Sequence, residues 1–250
     1  MVRSPLADRP VLVAPAPFGG DLRAPAVAAA IARGIEAAGF VPPDVCPVTS
    51  GGAGTIEVLL PALGGETADG FVLLEGGGTA LVEPARDAAR TAEHLAAAGA
   101  AGPAVIVLAA ADAPEGHAAA AVARAGPELA GARIVVLAGP GAPPPVLPAA
   151  VVTESGPRFV LEALGVDARM RAARAVVVGT GRLDDRALRG AVEGEIAVRA
   201  RQAGVPCHAV VGGRALDLFA TRILDLQRIV EASTLAEIEA GAERALAEVL

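Results

Sequence analysis

Short runs of β-branched and other apolar residues alternate with alanine-rich stretches along all 250 residues of the chain. Residues 11–14 (VLVA) form the first such run, and residues 24–38 follow it with apolar positions at helical spacing. Strands that alternate with helices indicate parallel βαβ units, and wholly apolar strands indicate a sheet covered on both faces. Ligands of such sheets bind beyond the carboxyl ends of the strands, so functional residues are expected in the loops that follow strands.

The same patterns predict the remaining elements. Strands are predicted at residues 45–48, 71–74, 80–82, 104–108, 134–137, 175–178 and 205–211, and helices at residues 86–98, 115–125, 157–164 and 186–203. A short helix is expected after residues 49–55, a hairpin around glycines 76–78, and a last helix that begins with a capping box at Thr234. The proline-rich segment 139–145 cannot continue a helix or a central strand, which makes it a candidate domain crossing.

Composition excludes several classes of function. All 21 basic residues are arginines, which excludes mechanisms that need a lysine, such as the P-loop phosphate clamp and Schiff-base formation. The net charge of -7 and the aromatic content of 2% argue against a nucleic-acid surface. No apolar stretch of signal length or of membrane-spanning length is present, which favours a cytoplasmic protein without membrane contact. Cys46 and Cys207 lack metal-ligand spacing and are expected to be buried.

Three glycine-containing loops follow predicted strands. They span residues 14–22 (APAPFGGDL), 48–55 (VTSGGAGT) and 179–185 (GTGRLDD). Glycines at a strand-to-helix turn expose backbone N–H groups and leave room for an anion at the helix N-terminus. Each loop taken alone is also explained as an ordinary tight turn. The candidate substrate- and phosphate-binding residues are Gly19, Gly20, Ser50, Gly51, Gly52, Gly54, Thr55, Gly179 and Gly181.

Taken together and in this order, the loops resemble the motifs of the glycerate kinase family, specifically the two-domain bacterial glycerate 2-kinases. Residues 14–22 are similar to the family motif A-P-D-S-F-K-E-S-L, and residues 47–55 (PVTSGGAGT) are similar to P-V-A-D-G-G-E-G-T. Residues 178–191 (VGTGRLDDRALRGA) are similar to T-G-E-G-R-L-D-x-Q-T-L-x-G-K. Residues 205–212 are similar to the family strand V-P-V-x-A-x-x-G. The resemblance therefore reaches from the first predicted strand to the last part of the chain.

This resemblance implies an α/β fold in which a Rossmann-like parallel sheet domain is built from both chain ends, with a reduced second α/β domain between them. Residues 1–78 and 156–250 are expected to form the discontinuous Rossmann-like domain, and residues 79–155 the reduced central region. The resemblance also implies transfer of the γ-phosphate of ATP, with Mg²⁺, to a hydroxyl group of glycerate.

Several residues of the family motifs are replaced in this chain. The motif lysines fall on Gly19 and Ala191. At least four motif carboxylates fall on neutral residues, among them Ala16, Ser50, Ala53 and Thr180. The family's glycine-rich loop G-G-S-A-T-N-D-G-G is replaced by residues 109–116 (AAADAPEG). Because phosphoryl transfer needs positive charge on the phosphate and carboxylates that hold magnesium, these replacements predict weakened or lost kinase activity.

Arg182 and Asp184 are retained in the late motif and form the predicted catalytic pair. Arg182 can bind a phosphate or carboxylate through its guanidinium group, and Asp184 can hold magnesium or accept the substrate proton. The other interpretation is a surface pair at a helix start, with Asp184 as the N-cap. Positive charge that could replace the missing lysines is available nearby from Arg23, Arg186 and Arg189. No metal site is assigned to particular residues.

Two functional hypotheses follow. In the first, the chain is a glycerate kinase-like phosphotransferase that acts on glycerate or a similar small acid with ATP and Mg²⁺, with weakened activity. In the second, it is a pseudoenzyme, a non-catalytic descendant that binds a small acid, a nucleotide or another protein. Neither hypothesis includes nucleic acid or a membrane as a partner, and a homo-oligomer is compatible with the sequence.

Overall fold

The computed structural model describes residues 8–129, 131–141, 147, 151–246 and 248. The chain divides into two compact units. Unit 1 contains the described residues up to Val48 and from Gly165 onward, so both ends of the chain contribute to it. Unit 2 is the continuous segment Thr49–Leu164. Each unit has its own sheet flanked by helices, which confirms the predicted α/β fold class.

Strands and helices alternate along the described residues. The strands are β1 (Val11–Pro15), β2 (Asp44–Val45), β3 (Gly65–Ala68), β4 (Phe71–Leu74), β5 (Thr79–Val82), β6 (Val105–Leu108), β7 (Arg133–Ala138), β8 (Val151–Ser155), β9 (Ala175–Thr180), β10 (Cys207–Val211) and β11 (Leu226–Glu231). The α-helices are α1 (Ala24–Ala37), α2 (Thr55–Leu63), α3 (Ala88–Ala100), α4 (His117–Ala125), α5 (Gly156–Ala163), α6 (Val166–Ala172), α7 (Val192–Ala203), α8 (Leu218–Ile223) and α9 (Leu235–Gly241). The last helix begins with the predicted capping box, in which Thr234 and Glu237 bond reciprocally.

Unit 1 contains a five-stranded sheet in the spatial order β11-β10-β9-β1-β2. Every neighbouring pair of these strands is parallel. From β1 the chain crosses through α1 to β2 on one side, whereas from β9 it crosses through α7 to β10 on the other side. The adjacent pair β1 and β9 is therefore the topological switch point, and the loops that follow these two strands diverge there. In open α/β sheets, ligands bind at this place.

The core of unit 1 forms because its strands are apolar on both faces. Every residue of β1, β9 and β10 is buried. Alternate strand residues such as Val13, Val177 and Val210 pack with residues of α1 and α9 in one apolar cluster. The remaining strand residues point to the other face, and α7 packs against β9 and β10. Burial on both faces is what a parallel sheet of apolar strands requires.

Unit 2 contains a six-stranded sheet in the order β3-β4-β5-β6-β7-β8. The strands β5 to β8 are parallel, and β3, β4 and β5 form an antiparallel meander. On one face, α3 and α4 contribute small residues such as Ala92, Ala98 and Ala121 to a cluster with Ile106 and Val136 of the sheet. Because alanine has a short side chain, these two helices approach each other and the strands closely. The helices α2 and α5 pack against β4, β7 and β8.

The boundary between the two units differs from the predicted one. The sequence predicts a central region at residues 79–155, whereas residues 49–78 and 156–164 also belong to unit 2. The predicted boundary at residue 78 would divide the β4–β5 hairpin, whose strands are hydrogen-bonded to each other. Of the proline-rich segment predicted as a domain crossing, the described residues 139–141 follow β7 and belong to unit 2. Residues 142–145 of that segment lie outside the described residues.

Other corrections concern the edges of the sheets and one helix. The strands β3, β8 and β11 are each at an edge of a sheet and contain polar residues, so they lack the apolar runs that identify central strands. Residues 153–156 are the end of β8 and the start of α5. The predicted helix 186–203 is a 3-10 helix, Asp185–Arg189, followed by α7. Gly190, with a φ of 89°, ends the first of these two helices.

Among the residues that the structure describes, no helix combines the length and the apolar character needed to cross a membrane. Cys46 and Cys207 are both buried, as predicted. Burial raises the pKa of the Cys46 thiol to about 11 and that of the Cys207 thiol to about 12, so both thiols are protonated near neutral pH. Protonated, buried thiols behave as small apolar side chains.

His208 is a polar residue within the apolar core of unit 1. It lies in β10, its side chain is fully buried, and neither ring nitrogen has a hydrogen-bond partner among the described residues. Burial lowers the pKa of this imidazole below its ordinary value of 6.5, because a charged ring would lose its hydration without gaining a partner. Folded unit 1 therefore contains the neutral ring.

We expect His208 to make the stability of the protein sensitive to mild acid. Below about pH 6.5 the unfolded chain binds a proton at this ring while the folded chain does not, so the free energy of unfolding falls as pH falls toward the lowered folded-state pKa. Urea unfolding between pH 5 and 7.5, compared for the wild type and His208→Leu, measures this contribution. The variant should lose less stability on acidification; parallel curves for the two proteins would contradict the buried neutral ring.

Candidate functional site

The loops after β1 and β9 meet at the switch point of unit 1. The Ala16 amide donates a hydrogen bond of 2.8 Å to the carbonyl oxygen of Gly179. Gly181 lies so close to the backbone of Phe18 that a Cβ atom would overlap the Phe18 carbonyl group. The absence of a side chain at Gly181 is thus a condition for joining the two loops. The predicted residues Gly19 and Gly20 lie in the first of them, and both have positive φ angles and open space around the Cα atom.

The position of the late motif is fixed by a third loop, the one after β10. The Leu183 amide donates to the Gly213 carbonyl oxygen at 2.9 Å, and the Leu183 carbonyl oxygen accepts from the Ala215 amide at 2.9 Å. The side chain of Leu183 is buried, so it anchors the loop in the core. Its two neighbours in sequence, Arg182 and Asp184, are therefore held at the carboxyl end of β9.

Asp184 is the centre of an ionic cluster. It is the N-cap of the 3-10 helix Asp185–Arg189, because its Oδ1 atom accepts a 3.0 Å hydrogen bond from the Arg186 amide. The Arg186 Nε atom donates to both carboxylate oxygens, at 3.1 and 3.3 Å. Arg182 approaches the same carboxylate, with its Nε atom 3.9 Å from Oδ2. These hydrogen bonds, above all the one from the Arg186 side chain, lower the pKa of Asp184, so the carboxylate is ionised at neutral pH.

Glu193 is a second carboxyl group beside this cluster. It lies in the first turn of α7 and is only 7% exposed. Burial raises the pKa of Glu193, and the positive charge of Arg186 opposes that shift. Gly194 allows the first turn of α7 to pack directly on the backbone of Ala187 in the preceding 3-10 helix. Two carboxyl groups with pKa values moved in opposite directions are a recurrent feature of functional sites.

The residues of this cluster do not fit a magnesium ion held by the protein. Both oxygens of Asp184 are occupied by Arg186, which is a competing cation. Within the described ranges, no group of three histidine, cysteine, aspartate or glutamate residues is arranged to hold a metal ion. We therefore assign no metal ligand here.

The second glycine loop has a different environment, in unit 2. The Ala53 amide donates to the carboxylate of Asp112, at 3.1 and 3.2 Å from its two oxygens. The Ile56 amide donates to the Oε1 atom of Glu83 at 2.7 Å. A Cβ atom at Gly52 would overlap the Asp112 carboxylate, so this glycine makes room for it. Burial raises the pKa of Glu83, while the amides at the start of α2 oppose the shift.

The amides at the start of α2 therefore already donate to carboxylates of the protein itself. Ser50, Gly51, Gly52, Gly54 and Thr55 are predicted to bind a phosphate or substrate, and part of the donor set that would do so is engaged by Asp112 and Glu83. Thr55 is buried, and its hydroxyl group bonds to the Gly52 carbonyl oxygen at 2.6 Å and to Thr49 at 2.9 Å. The Thr55 hydroxyl group thus bonds to residues of its own loop.

The predicted site residues thus fall into two groups. Gly19, Gly20, Gly179, Gly181, Arg182 and Asp184 lie in unit 1, whereas Ser50, Gly51, Gly52, Gly54 and Thr55 lie in unit 2. Sequence reasoning missed the carboxyl groups Glu83 and Glu193, and it gave Asp112 no role in capping a helix. The signal for Glu83 is its position directly after β5, at the carboxyl end of a parallel strand. Glu193 could be noticed as an acidic residue in the first turn of a helix. From the sequence alone, such a residue is explained by its favourable interaction with the helix dipole.

The fold and the site define a two-unit α/β protein with an arginine–carboxylate cluster at a switch point. The model of the Glycerate kinase family matches residues 11–73 and 145–249, which is more than half of the chain. The chain therefore belongs to the glycerate kinase family. The match leaves out residues 74–144, the part of unit 2 in which the family's glycine-rich loop is missing.

A solved structure supports the same fold. The crystal structure named "putative glycerate kinase 2 from Salmonella typhimurium LT2" superposes with a TM-score of 0.71. It covers 96% of this chain and 98% of its own, at 16% sequence identity. No curated protein matches the sequence.

We expect Gly181→Ala to destabilise unit 1. The added methyl group would overlap the Phe18 carbonyl group, and forcing an extra group into a packed region costs about 1–3 kcal/mol. Gly213→Ala is the matched control, since a Cβ atom at Gly213 has no neighbour within 4 Å and its φ is not in the left-handed region. Urea unfolding of the two variants measures the difference, and equal stabilities would refute the close approach of the two loops.

We expect Asp112→Ala to destabilise unit 2 by about 1 kcal/mol, the usual net contribution of a hydrogen bond such as the one that its carboxylate accepts from the Ala53 amide just before α2. Asp69→Ala is a suitable control in the same unit, because the Asp69 side chain is 94% exposed and its nearest cation, Arg90, is 3.9 Å away. Chemical denaturation followed by circular dichroism gives both values. A loss no larger than that of the control would show that Asp112 does not support α2.

Proposed function

We propose that this protein transfers the γ-phosphate of ATP to a hydroxyl group of glycerate or a similar small hydroxy acid. The observation that carries the proposal is the position of Arg182 and Asp184 at the carboxyl end of β9, beside the loop that follows β1. This is where doubly wound sheets bind their ligands. Membership of the glycerate kinase family supplies the reaction class. A small organic acid is thus the proposed substrate and ATP the proposed phosphate donor.

Positive charge at this end of unit 1 supports an anionic substrate. The side chain of Arg182 is 69% exposed, so its guanidinium group is available to a carboxylate or phosphate in two parallel hydrogen bonds. Asp184 is ionised and partly exposed. A carboxylate that is ionised near a bound hydroxyl group can accept its proton as the oxygen attacks phosphorus.

A low rate is part of the proposal, because groups present in the family motifs are absent here. Neutral Gly19 and Ala191 stand where the motifs have lysines. Removal of one preorganised electrostatic group typically lowers kcat by about a hundredfold to a thousandfold. Several such losses, even when they are not additive, leave a slow phosphotransferase. We place its reaction in the cytoplasm, where ATP is available.

One observation favours a second candidate, a pseudoenzyme that binds a small acid without phosphorylating it. Arg186 donates to both oxygens of Asp184, which makes this carboxylate a weaker base and places a competing cation beside it. An anion could still bind to the arginines of the cluster. The two candidates differ in turnover and agree in binding.

The first test is phosphotransfer from ATP to D-glycerate, with the product measured directly, in the wild type and in Arg182→Gln. We expect slow turnover by the wild type and a further loss of about a hundredfold in kcat/KM in the variant, because the arginine stabilises the charge of the transition state. Thermal stability with millimolar D-glycerate and with Mg²⁺–ATP separates binding from turnover, since a ligand at a hundred times its Kd adds about 2.7 kcal/mol to the free energy of unfolding.

The possible results of these measurements distinguish the kinase from the pseudoenzyme. Turnover that depends on Arg182 supports the kinase. A stability increase with glycerate but no phosphorylated product supports the pseudoenzyme. If neither ligand changes stability and no product forms, both candidates are wrong.

A further inference from the structure

Arg186 is not one of the residues that this chain shares with the family motif. The motif has a glutamine at its position and a lysine at the position of Ala191. In this chain the charges are exchanged, with an arginine at 186 and a neutral residue at 191. The two positions are neighbours in space, because the Ala191 amide donates a 3.0 Å hydrogen bond to the Arg186 carbonyl oxygen. The positive charge has therefore moved along the sequence while it stays in the same part of unit 1.

The Arg186 side chain is held by one edge only. Its Nε atom donates to Asp184, while no hydrogen bond joins Nη1 or Nη2 to any residue in the described part of the chain. The side chain is 58% exposed, so these two nitrogens are accessible. A guanidinium group fixed through Nε presents its remaining N–H groups as a fork that matches the two oxygens of a carboxylate or phosphate.

Arg182 also approaches the Asp184 carboxylate, but at a longer distance than Arg186 does. Its Nε atom lies 3.9 Å from Asp184 Oδ2, and its side chain is more exposed than that of Arg186. One carboxylate thus faces two guanidinium groups. Its single negative charge leaves one net positive charge on the trio. Asp185 is paired with Arg189, and Glu193 opposes this charge when it is ionised.

Glu193 adds to the fixed position of Arg186. The buried carboxyl group of Glu193 interacts electrostatically with Arg186. The carboxylate of Asp184 also interacts electrostatically with Arg186. An arginine that is attracted by carboxyl groups of both the 3-10 helix and α7 loses less side-chain freedom when a ligand binds. Preorganisation of this kind raises affinity.

We propose that Arg182 and Arg186 form a two-arginine clamp for a carboxylate or phosphate anion, and that Asp184 is a positioning residue that holds both arginines. This inference rests on the proposed function for the location of the ligand, and it gives Asp184 the further role of supporting the cations. Arg186 is the specific feature of this chain, because it supplies the cation that the motif has at position 191.

The test measures binding and not turnover. Isothermal titration calorimetry with D-glycerate, and separately with inorganic phosphate, distinguishes a carboxylate ligand from a phosphate ligand. We expect Arg186→Gln, which introduces the glutamine of the motif, to weaken binding of at least one anion by about tenfold to a hundredfold. Arg189→Gln is the matched control, because Arg189 lies on the same 3-10 helix and forms an ion pair with Asp185. We expect it to change affinity by less than about twofold.

Two further variants make the result specific. Arg186→Lys keeps the charge without the fork and should bind with intermediate affinity. The double variant Arg186→Gln/Ala191→Lys returns the charge to position 191 and should recover part of the lost affinity. If Arg186→Gln does not fold, judged by circular dichroism, the comparison of Arg186→Lys with Arg189→Gln decides the question.

The clamp is overturned if the wild type binds neither anion, or if the Arg186 variants bind as tightly as the Arg189 control. Anion binding that depends on Arg186, together with an absence of phosphotransfer from ATP to D-glycerate, would uphold the clamp and reject the proposed kinase reaction. The two proposals can therefore fail separately.

Discussion

Unit 1 depends on one pairing, that of β1 with β9. These strands come from segments that the whole of unit 2 separates in sequence, yet they are hydrogen-bonded along their full length. The pair creates the switch point, and its close contact depends on the small residues of the late motif. Gly179 packs on Pro15, and Gly181 packs on Phe18, so that neither position leaves room for a side chain. The glycines that the sequence suggests as ligand-binding residues therefore have a structural reason to be glycine even before a ligand is considered.

The sequence predicts central strands well because they are apolar on both faces. The segments around β1, β6, β7 and β9 are recognisable as uninterrupted apolar runs, and the α/β class follows from the alternation of such runs with helices. Edge strands are not recognisable in this way, since one side of such a strand has no partner and its side chains are partly exposed. The misplaced boundary between the units has a different origin. The sequence predicts the β4–β5 hairpin, but it does not show to which unit the hairpin belongs, and the predicted boundary at residue 78 therefore falls within its turn.

The candidate site is predicted less completely, for an electrostatic reason. Motif similarity identifies Arg182 and Asp184, but it compares each motif residue only with the residue aligned to it. Charges in this chain are supplied from elsewhere. Asp112, remote in sequence, places its carboxylate at the loop where Ser50 and Ala53 replace motif acids. Arg186 places a cation close to Ala191, where a motif lysine is absent. The sequence names Arg186 only as one of three nearby arginines, and the fold shows that it bonds to the Asp184 carboxylate.

The order of synthesis has a different consequence for each unit. Unit 2 is one continuous segment, so all of its strands are synthesised before β9. The strand β1 is synthesised first, but one of its two neighbours in the sheet is β9. During this interval the edge of β1 that will face β9 has no partner from its own sheet, and unpaired edges of this kind favour contacts between chains. A nascent chain of this protein therefore contains all of unit 2 while one edge of β1 is still unpaired. The risk of misassembly is concentrated in that period.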